Sequence, residues 1–131
     1  VLFFLLVSLL TSLSPPLATV PVGFFYGQKQ SADVFIGLKI TPFEQGEMNT
    51  FFVNVTNAAG FPLGGVKYVV ILLSYKDKDL GDQVITLDKV ENSTATANGN
   101  FLALSGNYIA SVNVIRQNAY DVEASFAFYV P

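Results

Sequence analysis

From Ala32 onward apolar side chains return at every second position, and this alternation limits what the chain can fold into more than any other property. Val34, Ile36, Leu38 and Ile40 alternate with Phe35, Gly37 and Lys39. At the far end Val122, Ala124, Phe126, Phe128 and Val130 alternate with smaller or polar residues. Successive side chains of a strand point to opposite faces, so each run predicts a strand with one buried face. No comparable stretch keeps the 3.6-residue period of an amphipathic helix.

The same reading gives further strands. Asn49 to Thr56 places Phe51, Val53 and Val55 on one side and Phe52 and Asn54 on the other. Val66 to Tyr75 is almost continuously apolar, which suits the centre of a sheet or a strand covered on both faces. Gln83 to Val90 and a weaker Ser93 to Leu104, interrupted at Asn98-Gly99-Asn100, come next, and Tyr108 to Ile115 alternates again. Turn chemistry separates these runs at Asn57 to Pro62 and at Asp77 to Asp82. About seven short strands with frequent turns point to an all-β chain, an antiparallel immunoglobulin-like β-sandwich. Twelve Phe and six Tyr agree with it, because aromatic side chains fit a half-buried pleated surface.

Ahead of the alternating part stands Val1 to Leu13 (VLFFLLVSLLTSL), an uncharged run ending at Ser14-Pro15-Pro16. As a helix it would cover roughly 20 Å, short of the ~30 Å hydrocarbon core of a bilayer. We read residues 1–14 as the outer end of a transmembrane helix whose remainder lies upstream. An incomplete signal peptide lacks its basic start and small-residue cleavage site, and a buried core element is the third alternative. Residues 15–31 read as a linker, with Pro15, Pro16 and Pro21 opposing regular structure, and residues 32–131 as the sandwich. No Lys or Arg precedes Lys29, so the positive flank of a cytoplasmic segment is missing and the sandwich is expected on the extracytoplasmic side of the cell membrane. Phe24-Phe25-Tyr26 suits either an interfacial aromatic anchor or a plug beneath the sandwich.

The residue inventory excludes much chemistry. There is no His and no Cys, which removes the commonest bases, nucleophiles and soft metal ligands, as well as any disulfide. A net charge of −3 with seven scattered Lys and Arg leaves no footprint for nucleic acid. Asp77, Asp79 and Asp82 in KDKDLGD depart from a calcium loop, with Gly81 at a donor position, and read as a solvated hairpin. Glu44 and Glu47 read as a polar turn rather than an acid/base pair, and Gly60 to Gly65 lacks what a phosphate cradle needs. Asn54-Val55-Thr56 and Asn92-Ser93-Thr94 match the glycosylation pattern, the second in a loop. Tyr108, Tyr120 and the paired Phe residues are read chiefly as core. No catalytic, cofactor-binding or metal-binding residue is expected, and no enzymatic activity.

Taken together these segments resemble the end of the copper-resistance D family of membrane proteins. The resemblance rests on LLVSLLTSLSPP as a helix end and on ITPFEQGEMNTFFVNVTNAAGFPLGGV, with its Pro-x-x-x-Gly-x-x-Asn spacing and Asn-Ala-Ala-Gly-Phe-Pro turn. It continues through Leu80-Gly81, FLALSGNYIASVNVIR with Gly106-Asn107-Tyr108, Arg116 with Tyr120-Asp121, and the terminal SFAFYV. The resemblance implies a non-enzymatic accessory domain of a membrane copper transport or resistance protein, attached to an upstream transmembrane part and served by a copper-carrying partner. The family's copper-handling His and Met residues have no counterparts here, where Met48 stands alone in a turn. The alternative expectation is a membrane-anchored binding or adhesion module unrelated to metal.

Overall fold

The computed structural model describes residues 23–131, so the apolar run and most of the expected linker lie outside the described residues. Among these it contains nine strands: β1 (Phe25–Ser31), β2 (Val34–Thr41), β3 (Asn49–Asn57), β4 (Val66–Tyr75), β5 (Asp82–Leu87), β6 (Lys89–Glu91), β7 (Thr94–Gly99), β8 (Gly106–Arg116) and β9 (Val122–Val130). They form two antiparallel sheets, β1-β2-β3-β7-β6 and β5-β4-β8-β9, whose inner faces share one core. The described residues therefore form an all-β sandwich.

Alternation does what its period requires. Val34, Ile36, Leu38 and Ile40 face Phe51, Val53 and Val55 on the inner side of one sheet. Val69, Ile71, Leu73, Ala110, Val112 and Val114 meet them from the other. Phe126, Phe128 and Val130 are buried while Ser125 and Ala127 are exposed, as the period predicts. The apolar β4 sits between β5 and β8 in the middle of its sheet, but only one of its faces is covered. Leu72 is 38% exposed on the outer side.

Two boundaries differ from the sequence reading. The expected linker ends early, because Phe25–Ser31 is a strand that pairs along its whole length with β2, from Phe25↔Ile40 to Ser31↔Val34. Its polar GQKQS stretch reads as loop only because it lies at a sheet edge, where one face and one side meet water. Phe25 fixes it in place. Its ring lies 5.7 Å from that of Phe43 and 5.0 Å from that of Phe128, so the central aromatic of Phe24-Phe25-Tyr26 plugs the sandwich. Phe24 and Tyr26 point outward.

The second difference concerns Gln83 to Val90, one strand by pattern and two in the fold. Ile85 and Leu87 face the core from β5, while Val90 packs against it from β6 in the opposite sheet. The chain changes sheets at Asp88 and closes that side of the sandwich. The parity of the buried positions flips there, from odd to even. The weak run after Ser93 ends as a strand at Gly99, and Leu102 enters the core from irregular backbone.

Candidate functional site: the outer face of the five-stranded sheet

Two of the carboxylates singled out for chemistry, Asp77 and Asp82, have structural duties. The Asp77 carboxylate accepts the Asn107 backbone N–H at 2.9 Å and its side-chain amide at 3.1 Å. These hydrogen bonds hold Asp77 below the usual carboxylate range and tie the β4–β5 loop to the start of β8. Asp82 accepts from Ser74 Oγ at 2.7 Å. Among the described residues no three carboxylates gather as a metal-binding group.

Glu44 and Glu47 are exposed in the loop between β2 and β3, whose organiser is Asn49. Asn49 is fully buried; its amide donates to the Pro42 carbonyl at 2.8 Å and to that of Glu44 at 3.4 Å, and its Oδ1 accepts from Leu102 N–H at 3.3 Å. Gly46, at φ 79°, donates to the Leu102 carbonyl at 2.8 Å. The Pro-x-x-x-Gly-x-x-Asn spacing is thus one hydrogen-bonded unit. Asn57 plays a similar part in the next turn, its Oδ1 accepting from the N–H groups of Ala59 and Phe61. Met48 is exposed.

Tyr108 is buried at the start of β8. Its hydroxyl donates to the Leu104 carbonyl at 2.6 Å and accepts from the Leu104 N–H at 3.3 Å. Burial pushes its phenol above the usual tyrosine value. Tyr120, by contrast, is 92% exposed at a loop tip, where Arg116 Nε donates to its carbonyl at 2.9 Å. It is not core. Asn92 lies exposed in the β6–β7 turn at φ 53°, and Asn54 stands on an outer sheet face.

That outer face carries Tyr26, Phe52, Gln28 and Asn54. Pairing registers set Tyr26, Lys39, Phe52, Thr96 and Lys89 in one row across the sheet, and Gln28, Gly37, Asn54, Thr94 and Glu91 in the next. Lys39 Nζ lies 5.0 Å from the Phe24 ring centre and 5.9 Å from that of Phe52, so its charge is held between two aromatic faces. A depression of about 340 Å³ opens beside Phe52, Thr94 and Thr96 at one end of these rows. Another of about 240 Å³ opens beside Gln28, Phe35 and Thr56.

Gly37 explains how this surface stays level. A Cβ at this position would stand 3.0 Å from the Tyr26 hydroxyl and would collide with the Asn54 side chain, so both lie over the glycine. Its φ lies outside the left-handed region, so the backbone makes no demand for glycine. In sequence, Phe35-Gly37-Lys39 is only the non-core half of an alternation, and nothing in one strand shows which residues of its neighbours share that face.

No family model, no curated protein and no solved structure matches the chain. Among the described residues no helix is long and apolar enough to cross a membrane.

Proposed function

We propose that this chain is a non-enzymatic accessory domain of a membrane copper transport or resistance protein, held through Val1 to Leu13 with its immunoglobulin-like sandwich on the extracytoplasmic side. The observation that carries the reading is the unit built on Pro42, Gly46 and Asn49. The spacing behind the family resemblance serves one hydrogen-bonded loop closed on the buried Asn49, and this supports the reading. Two further features support the immunoglobulin-like description. The order β2-β3-β7-β6 against β4-β8-β9 follows that architecture, with β5 added beside β4. Tyr108 bonds back to the backbone four residues upstream, as a tyrosine corner does.

On this reading copper is handled by the upstream membrane part or by a partner, because the carboxylates and amides here are poor ligands for either copper oxidation state. Sequencing the coding region upstream of Val1 tests it. Several further apolar spans bearing intramembrane His or Met are expected. A Met start within about twenty residues, the length of one span, would sink the proposal. Calorimetry of the untagged chain should find no stoichiometric, submicromolar copper site. The second reading, a tethered binding module unrelated to metal, is favoured by the outer face of the five-stranded sheet.

A further inference from the structure

We infer that a second copy of this chain docks on the outer face of the four-stranded sheet, face to face and related by a two-fold axis. The inference stands on this face alone and does not depend on the copper reading. It starts from β4, whose sequence VKYVVILLSY is almost continuously apolar. Such a run fits a strand covered on both faces, yet within one copy only the side of Val69, Ile71 and Leu73 is covered. Val70 and Leu72 point the other way. Val84 of β5 stands beside Leu72 and is 66% exposed, and Ile109 of β8 extends the apolar area.

The polar groups at the middle of this face are already partnered. Ser111 Oγ lies 3.3 Å from Ser125 Oγ in the row that contains Val84 and Leu72, and Ser74 Oγ donates to Asp82 in the next. Burying a polar group costs little once its hydrogen bond is made. A covering surface therefore has to supply apolar contact rather than new donors and acceptors.

A second copy meets that requirement in shape, charge and area. Two sheets twisted with the same hand pack face to face at about −30°. Across the sheet order β5-β4-β8-β9, the rows from Thr86 to Glu123, Val84 to Ser125 and Asp82 to Ala127 contain two carboxylates and no Lys or Arg. Glu123 and Asp82 stand at diagonally opposite corners. A two-fold axis lying between the sheets carries that diagonal onto the other one, so no carboxylate opposes another. The nearest are roughly 14 Å apart, beyond the Debye length of about 8 Å. Four strands about 4.8 Å apart, over the length of Asn107 to Ile115, offer roughly 600 Å² per copy. Two copies then bury roughly 1,200 Å², the lower edge of the ~1,200–2,000 Å² of stable interfaces. A lipid surface is matched less well, because these rows hold no cation to meet headgroup phosphates.

The test is sedimentation equilibrium of the whole 131-residue chain in density-matched micelles, over a range of protein concentrations. A reversible monomer–dimer equilibrium is expected. Leu72→Lys and Val84→Lys should each weaken it about tenfold or more, while the circular dichroism spectrum stays that of the parent sandwich. Gln28→Lys, on the outer side of the other sheet, should change nothing. Because the chain has no Cys, single-cysteine variants give a second readout that leaves the apolar contacts in place. Ser111→Cys should be joined into dimers by a short bismaleimide, and Gln28→Cys should not. A monomer at every concentration, or equal cross-linking of the two cysteine variants, would overturn the inference. So would a dimer that survives both lysine substitutions, as pairing through residues 1–13 would, or a monomer whose Leu72 face takes up detergent chains or a different protein instead.

Discussion

At the scale of single residues, alternation sorts the last strand into two sets with different energetic weight. Phe126 and Phe128 are both buried, Phe126 beside Gly27, and Phe128 with its ring centre 5.0 to 5.7 Å from those of Phe25, Phe43 and Tyr108. Truncating either to Ala removes its transfer energy and leaves a cavity, so each should lower stability by about 3 to 5 kcal/mol. Ala127→Thr and Ser125→Thr, on the exposed face, should stay within about 0.5 kcal/mol. Urea melts of the four variants decide it, and equal losses in both sets would mean that alternation does not divide β9 into a core face and a solvent face. These residues were legible because a period of two needs only local sequence. Asn49 and Tyr108 were only half legible. Their places on alternating runs are visible, but their polar partners, Pro42, Leu102 and Leu104, sit in irregular segments that no periodicity describes. A buried amide must find such partners, since leaving them unmade costs about 1 to 3 kcal/mol.

At the scale of elements, the pattern fails at the two edges of the five-stranded sheet, although β9, an edge of the other sheet, alternates cleanly. Interior strands β2, β3, β4 and β8 contain the runs that alternate or stay apolar, and each appears within a residue or two of its expected place. The edge strands β1 and β6 are polar and short of core contacts, so hydrophobic periodicity is weak there. Yet β1 is not dispensable. It covers the β9 side of the sandwich through Phe25, Ser31 Oγ accepts from the Glu123 N–H at 3.4 Å, and Gly27 lies against the Phe126 ring. A chain beginning at Ala32 therefore loses a seven-residue ladder and uncovers Phe43, Phe126 and Phe128. Relative to a chain beginning at Gly23 it should be less stable by at least the roughly 3 kcal/mol of a deleted buried Phe, and it should bind a hydrophobic dye. Thermal melts of the two chains with and without the dye measure this. Equal melting temperatures would show that β1 is an ornament on a sandwich complete without it.

At the scale of the whole molecule, Asp77 and Tyr108, two groups whose proton affinity the fold shifts, lie at one end of the sandwich. The β4–β5 loop and the segment before β8 meet there, where Tyr75 Oη donates to the Ser105 carbonyl at 2.7 Å and Asp77 and Tyr108 make the bonds to Asn107 and Leu104 described above. Gly106, at φ 137°, sits between them, and a Cβ on it would meet both Asp77 and the Tyr75 hydroxyl. Asp77 is held below its ordinary pKa, so it favours the folded state above the unfolded value. That contribution fades as pH falls through the folded one. Tyr108 is held above its ordinary pKa by burial, so the fold prefers the neutral phenol. Its contribution is intact below the unfolded value of about 10 and is lost as pH rises from there toward the folded one. Melting temperature plotted against pH should therefore fall at both ends. In Asp77→Asn the acid decline should be shallower, with its deficit against the parent chain largest near neutrality and vanishing in acid. In Tyr108→Phe the chain loses a corner hydrogen bond at every pH, and its alkaline decline should begin later than in the parent. Parallel curves for parent and both variants across the whole range would mean that neither group is linked to folding, and that this end of the sandwich is held by packing alone.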